Sequence, residues 1–158
     1  MITVSRICAN NTKIDISEVK KYINIVDDCR NAEIQSLLAS SISRIEEYCS
    51  VSLREGEYEL TQDFPVSIQK LPYTPVLEVI SVRDSNGLDL PFSLDFWNTL
   101  RFSEKKAFVC RYKTDVSKDI DNYKAAVFAY TGLMFDGYNS DDAFEIVTTK
   151  YLPKISML

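Results

Sequence analysis

The chain of 158 residues contains no histidine. That absence excludes an imidazole base, an imidazole nucleophile and an imidazole metal ligand. Glycine is scarce, with only Gly56, Gly87, Gly132 and Gly137, and each stands isolated. A Gly-rich phosphate loop therefore has nowhere to form, and the G-x-S-x-G pattern of a nucleophile elbow does not occur. The cysteines Cys8, Cys29, Cys49 and Cys110 include no C-x-x-C pair, and no histidine is there to complete a zinc site. The longest uncharged stretch, Ala125 to Phe135, is well short of a membrane span. The first residues lead into the polar run Asn10-Asn11-Thr12-Lys13 without an apolar h-region, so no secretory signal is expected. The four cysteines are accordingly expected to be free thiols in a reducing compartment, acting as small apolar residues.

Basic charge is also in deficit. The 18 Lys and Arg against 23 Asp and Glu leave a net charge of −5, which disfavours wholesale neutralisation of nucleic-acid phosphates. What remains is ordinary globular material, 46% hydrophobic and 26% charged. At roughly 150 residues per domain, the length predicts a single domain over 1–158.

The pattern along the chain predicts an α+β fold. Its expected parts are a helical N-terminal pair, a central antiparallel β-hairpin section, and a C-terminal long helix followed by a short helix and tail. Residues 1–13 read as an irregular arm and 14–50 as helices. Asp15-Ile16-Ser17-Glu18 is a capping box, with Ile14 and Val19 placed as a hydrophobic staple. Asp27-Asp28 is read as opening a longer helix, where acidic groups complement the positive end of the dipole. Its apolar face is Ile34, Leu37, Leu38, Ile42, Ile45, Tyr48 and Cys49, with Arg30, Ser40, Ser43, Arg44, Glu46 and Glu47 opposite.

From 58 to 113 the apolar period falls to two and turn signals multiply. Pro65 is read as ending the first strand. Leu71-Pro72-Tyr73-Thr74-Pro75-Val76 must be extended, because each proline restricts both itself and its predecessor. Asn86-Gly87 is a strong hairpin signal, expected as a type I′ turn, and Trp97-Asn98-Thr99 is the turn of a second hairpin. Helices return over 117–150, with Ile120, Tyr123, Val127, Tyr130 and Met134 as one stripe and Gly137 as its stop. Asn139 to Asp142 cap a last short helix with Ala143, Ile146 and Val147 on its inner face, and 151–158 form a tail.

Few residues invite chemistry. Asp27-Asp28 and Asp141-Asp142 are two acidic pairs of the kind that hold divalent ions in nucleases, but both sit where helices should begin and are read as caps. The 9 tyrosines and 8 phenylalanines follow core periodicity and are assigned to the interior, not to base stacking. No catalytic, cofactor or metal site is expected, and the protein is not expected to be an enzyme.

One succession of features is more informative. Ile16-Ser17-Glu18-Val19-Lys20 is followed by Asp27-Asp28 and a long helix ending Ile45-Glu46-Glu47-Tyr48. Then Leu71-Pro72-Tyr73-Thr74-Pro75-Val76-Leu77-Glu78-Val79 runs into Val82-Arg83-Asp84-Ser85-Asn86-Gly87, and Phe108-Val109-Cys110-Arg111-Tyr112 precedes a last long helix. This order resembles the head–tail connector proteins of tailed bacteriophages over roughly residues 14 to 138. Cys49-Ser50 stands where that family often has Thr-Gly.

The resemblance implies a structural virion protein, made in the host bacterial cytoplasm and located at the head–tail interface. It implies a dodecameric ring of copies of itself beneath the portal protein, extending the DNA channel and receiving a stopper or tail-completion protein. DNA would pass without sequence-specific binding, and no membrane or cofactor is implied. The acidic balance suits a channel wall that phosphates should not adhere to. The competing class is a non-enzymatic intracellular adaptor that recognises a protein partner through its sheet edge. The expected partner interface is the C-terminal segment, with Tyr151, Leu152, Lys154, Ile155, Met157 and Leu158.

Overall fold

The computed structural model describes residues 1–152, with the backbone alone given for Asn10 and Asn11. The elements are β1 (Ile2–Thr12), α1 (Ile16–Tyr22), α2 (Asn31–Cys49), β2 (Arg54–Lys70), β3 (Val76–Arg83), β4 (Ser93–Leu94), β5 (Thr99–Thr114), α3 (Ile120–Phe135) and α4 (Ser140–Lys150). They divide between two compact units. Met1–Thr12 and Ser50–Ser117 form a strand unit, and Lys13–Cys49 with the chain from Lys118 onward forms a helical unit.

The expected architecture is corrected here. The chain opens on strand β1, not on an irregular arm over 1–13, so its N-terminal part is not a helical pair. The central part is not a succession of short hairpins. It is one five-stranded antiparallel sheet, ordered β1-β2-β5-β3 with β4 added to β5. The physical reason for the first miss is that β1 is an edge strand whose described side chains are exposed or half-buried, so the alternation of Ile2-Thr3-Val4-Ser5 is not sustained through Arg6-Ile7-Cys8-Ala9. The second miss turns on Pro65. It falls inside the register shift between Gln62↔Phe108 and Val66↔Lys106, where the ladder is already interrupted, and β2 continues past it.

In the strand unit, Tyr58 and Leu60 from the start of β2 share a core with Leu71 beyond its end. From β5, Leu100 and Phe102 at one end join Cys110 and Tyr112 at the other. The sheet therefore folds over on itself around these side chains. Burial of each large apolar group stabilises the unit by about 1.5–3 kcal/mol. The Tyr112 hydroxyl donates to the Pro72 carbonyl at 2.8 Å, satisfying the polar end of a buried ring. Ser52 and Thr114, also buried, satisfy one another at 2.8 Å.

The Asn86-Gly87 hairpin forms, though not as a type I′ turn. Of the pair, Gly87 alone has positive φ, at 81°. Asp84 anchors the loop: its carbonyl accepts the Gly87 N–H at 3.0 Å, and its N–H donates to the Leu88 carbonyl at 2.9 Å. This is a three-residue loop whose last position requires the left-handed conformation.

In the helical unit, the capping box is present. Asp15 accepts from the Ser17 N–H, and Glu18 accepts from the Asp15 N–H at 3.3 Å. Ile14 and Val19 are both buried, as a staple requires. α2 begins at Asn31 and not at Asp27-Asp28. Those aspartates instead organise the preceding loop, with Asp27 accepting the Cys29 N–H and Asp28 accepting from Lys20 Nζ at 2.6 Å. The buried stripe of α2 is Ile34, Leu38, Ser41, Ile42, Ile45 and Glu46, while Leu37 is half-buried and Tyr48 is exposed. Helical geometry includes Ser41 and Glu46 in the stripe despite their polarity. Ser41 donates to the Leu37 carbonyl and accepts from Thr131 of α3 at 2.9 Å.

α3 ends in a Schellman arrangement. The Tyr138 N–H reaches the Leu133 carbonyl, the Gly137 N–H reaches that of Met134, and Gly137 has φ 92°. Asn139 then caps α4 by accepting from the Asp141 and Asp142 N–H groups, both at 2.9 Å. Ala143 and Val147 are buried, whereas Ile146 is 40% exposed and is not on the inner face.

Candidate docking surface

The most developed surface feature lies at the β4–β5 hairpin. Asp95 organises its turn, with Oδ1 accepting the Trp97 N–H at 2.9 Å and the Thr99 N–H at 3.0 Å. Its Oδ2 accepts from Arg101 Nε at 3.0 Å. The backbone adds Asn98 N–H to the Asp95 carbonyl, and Asn98 takes the left-handed conformation at φ 58°. Desolvation pushes the Asp95 carboxyl up, but hydrogen bonds from Thr99, Arg101 and Trp97 outweigh it and hold the group below its ordinary range.

This framework holds Phe96 and Trp97 in water, 89% and 71% exposed. Their rings meet edge to face, with centroids 5.5 Å apart and planes at 82°. Leu94 of β4 and Ile68 of β2 are exposed beside the same stretch of β5, pairing with Leu100 and Arg101 respectively. Exposed aromatics on an ordered turn are suited to docking, because little conformational freedom remains to be lost when a partner covers them. The assignment of aromatics to the core is thus corrected. Tyr58, Tyr112 and Tyr130 are interior, but Phe64, Phe92 and Phe96 are not. Trp97 lies in the turn of the second hairpin, as its position predicts, and the same signal extends to its neighbour Phe96.

Of the expected C-terminal interface residues, Tyr151 is half-buried and Leu152 is buried. Lys154, Ile155, Met157 and Leu158 lie outside the described residues. Tyr151 lines a groove of about 330 Å³ in the helical unit, together with Tyr22, Ile23, Gly132, Leu133 and Ile146. Burial and a hydrogen bond with Tyr151 push the Tyr22 phenol up. Gly132 sets the depth of the groove, since a Cβ there would meet Ile23 Cγ2 at 3.2 Å. On the same unit, Arg44 pairs with Asp141 at 3.1 Å and lies over the Phe144 ring.

The thiols divide by environment. All four are free, as expected, but Cys8 and Cys29 are exposed and do not serve as small apolar residues of the interior. Burial pushes the Cys110 thiol up to about 12, so it is neither thiolate nor nucleophile near neutrality. Burial raises Cys49 as well. Among the described residues, no group of three or more Cys, Asp and Glu side chains gathers where it would hold a metal ion.

Residues 13–86 match the family model of the phage gp6-like head-tail connector protein. Three solved structures share the fold at low sequence identity. A chain from the neck of an empty gene transfer agent particle, computed with C6 symmetry, has a TM-score of 0.67 at 13% identity. The match covers 92% of this chain and 94% of that one. A chain from the virion of the native gene transfer agent particle gives 0.65 at 13% identity, over 94% of each chain. A chain from the native particle's neck, computed with C12 symmetry, gives 0.55 at 15% identity, over 89% of this chain and 94% of that one. No curated protein matches the chain. The resemblance to head–tail connectors therefore holds over residues 13–86, and the fold similarity extends over most of the chain.

Proposed function

From a chain whose residues 13–86 match the head–tail connector family, we propose a structural protein of the virion neck that forms a ring between the head and the tail. The observation that carries this reading is the coincidence of that family match with a fold shared with particle-neck chains over about nine-tenths of the sequence. The role is structural and not catalytic, which agrees with the buried, protonated Cys110 and with acidic side chains engaged as caps and ion pairs. The ring sits beneath the portal, surrounds the DNA path without reading sequence, and receives the next tail component. Its net charge of −5 limits adhesion of the passing phosphates. The chain acts as one connector domain in this role.

Two surfaces serve as contacts in this proposal. Phe96 and Trp97 form a rigid apolar anchor for a neighbouring virion protein. The C-terminal segment reaches the portal through Lys154, Ile155, Met157 and Leu158, starting from the anchored Tyr151 and Leu152. Deleting residues 153–158 while keeping the buried Leu152 tests that second contact. Circular dichroism and melting should stay nearly unchanged while association with the cognate portal weakens in native mass spectrometry. Undiminished association would remove the tail from the interface.

A further inference from the structure

Where β1 lies beside β2, the order β1-β2-β5-β3 leaves β1 open on one side and β3 on the other among the described residues. A long edge strand is a template for pairing, and isolated proteins usually guard it with charge, proline or a covering segment. β1 has none of these three, and its register shifts fall after Arg6, leaving Ile2–Arg6 as a regular open stretch. It contains no proline, and its single charged residue, Arg6, turns to Tyr58, donating to the hydroxyl at 2.8 Å. Ile2 and Ile7 remain 52% and 45% exposed.

The other edge is open over half its length. The loop after β3 covers its C-terminal end, where the Leu90 N–H donates to the Val82 carbonyl and Arg83 bridges to Asp89. At the start of β3 the Val76 N–H is taken by Asn98 Oδ1 at 3.2 Å. Between that point and Val82 the edge is clear of the loop, and it displays Leu77 and Ile80, 63% and 42% exposed.

The phase of β1 is known. The Asp63 N–H donates to the Met1 carbonyl, and Ile2 is opposite Gln62. Met1, Thr3 and Ser5 therefore direct their backbone groups to β2, and Ile2 and Val4 direct theirs to the open edge. Strand sense is equally defined. Neighbours in the order β1-β2-β5-β3 are antiparallel, so β1 and β3 run in opposite directions. Copies related by rotation about one axis keep each strand's sense, so β1 of one copy meets β3 of the next antiparallel. Pairing of β1 with β1 would instead close a two-fold dimer and leave both β3 edges open.

We infer that neighbouring copies join edge to edge, with β1 of each subunit adding to the Leu77–Ile80 stretch of β3 in the next. This rests on the ring reading above and specifies the bonds that build it. Backbone hydrogen bonds supply the pairing, and Ile2 and Ile7 are covered together with Leu77 and Ile80.

Hydrogen–deuterium exchange of the full chain, as diluted monomer and as assembled ring, tests the inference. The Ile2 and Val4 amides should slow by about tenfold or more on assembly, as newly bonded strand amides do. Val4→Pro removes an outward donor and spares the β1–β2 ladder, while Val4→Ala controls for the lost side chain. Val4→Pro should stay monomeric at concentrations where the wild type and Val4→Ala form rings. Should Val4→Pro melt early, exchange in the wild-type ring decides alone. A ring whose Ile2 and Val4 amides exchange as fast as in the monomer overturns edge pairing and leaves the ring reading intact. Assembly that stops at a dimer overturns the β1–β3 pairing. Failure to form any ring, alone or with portal, overturns both readings.

Discussion

Tyr58 and Tyr73 stack with ring centroids 4.6 Å apart and planes 10° from parallel, tying the start of β2 to the segment beyond its end. Tyr73 reaches this position with a left-handed backbone, φ 58°, between the two prolines, so the segment Leu71–Val76 is not extended throughout as its prolines suggest. The stack therefore helps hold the sheet folded over its core. Tyr73→Ala should destabilise by roughly 1–3 kcal/mol, less than a fully buried aromatic because Tyr73 is half-buried. Urea unfolding measures it. A change below about 0.5 kcal/mol, the usual surface effect, would show that the stack contributes little.

The helical unit offers a graded comparison within one helix. Ile45 is fully buried in α2 and Leu37 only half-buried. Ile45→Ala should cost about 2–5 kcal/mol, and Leu37→Ala less than Ile45→Ala. Equal losses, or the reverse order, would place the buried stripe on another face.

Gly87 has open space around its missing side chain, so its constraint is conformational only. Gly87→Val should destabilise by about 1–3 kcal/mol through backbone strain at φ 81°, and Gly87→Asn by less, because asparagine tolerates that region. Helix content should not change in either variant. Equal melting temperatures for valine and glycine would show that the loop relaxes.

The buried thiol has a pH signature. Cys110 is raised from 9.0 to about 12 in the folded chain. A raised folded value means that its stabilising contribution is complete below about pH 9. It is then lost as pH climbs through about 12, because the unfolded thiol ionises first. Cys110→Val should flatten this part of the alkaline stability curve. In thiol labelling near pH 8, exposed Cys8 and Cys29 should react first and Cys110 only on unfolding. Early labelling of Cys110 would contradict its burial.

Local signals were legible wherever a backbone requirement coincided with a residue type. Asp15 and Glu18, Gly137 and Asn139 mark helix ends in the sequence, and the structure uses each of them that way. The strand unit was less legible, because its determinants are not local. β1 is recruited to an edge with an apolar alternation too short to betray it, Ile2-Thr3-Val4-Ser5, and Pro65 reads as a break until the register shift beneath it is known. Polarity also misassigned Glu46, whose place on α2 is dictated by its angle on the helix. The aromatic tip failed for a related reason. Periodicity assigns Phe96 to a core while Trp97 falls in the turn, and only the Asp95 hydrogen bonds reveal that both are held outward.

Trp97 is the only tryptophan, so its fluorescence reports the tip directly. Asp95→Ala removes the acceptor of the Trp97 and Thr99 N–H groups and should lower Trp97 anisotropy in the free protein. If Phe96 and Trp97 anchor a virion partner, Phe96→Ala should also weaken the emission shift produced by that partner. An undiminished shift would move the contact elsewhere.

The central claim is that this chain is a ring-forming connector at the head–tail junction. Electron microscopy of the purified full chain mixed with its cognate portal assembly tests it most directly. The account predicts a closed ring of copies stacked coaxially on the portal, with an open channel along the shared axis. Portal particles that remain bare, beside a protein that stays monomeric at every concentration, would contradict it.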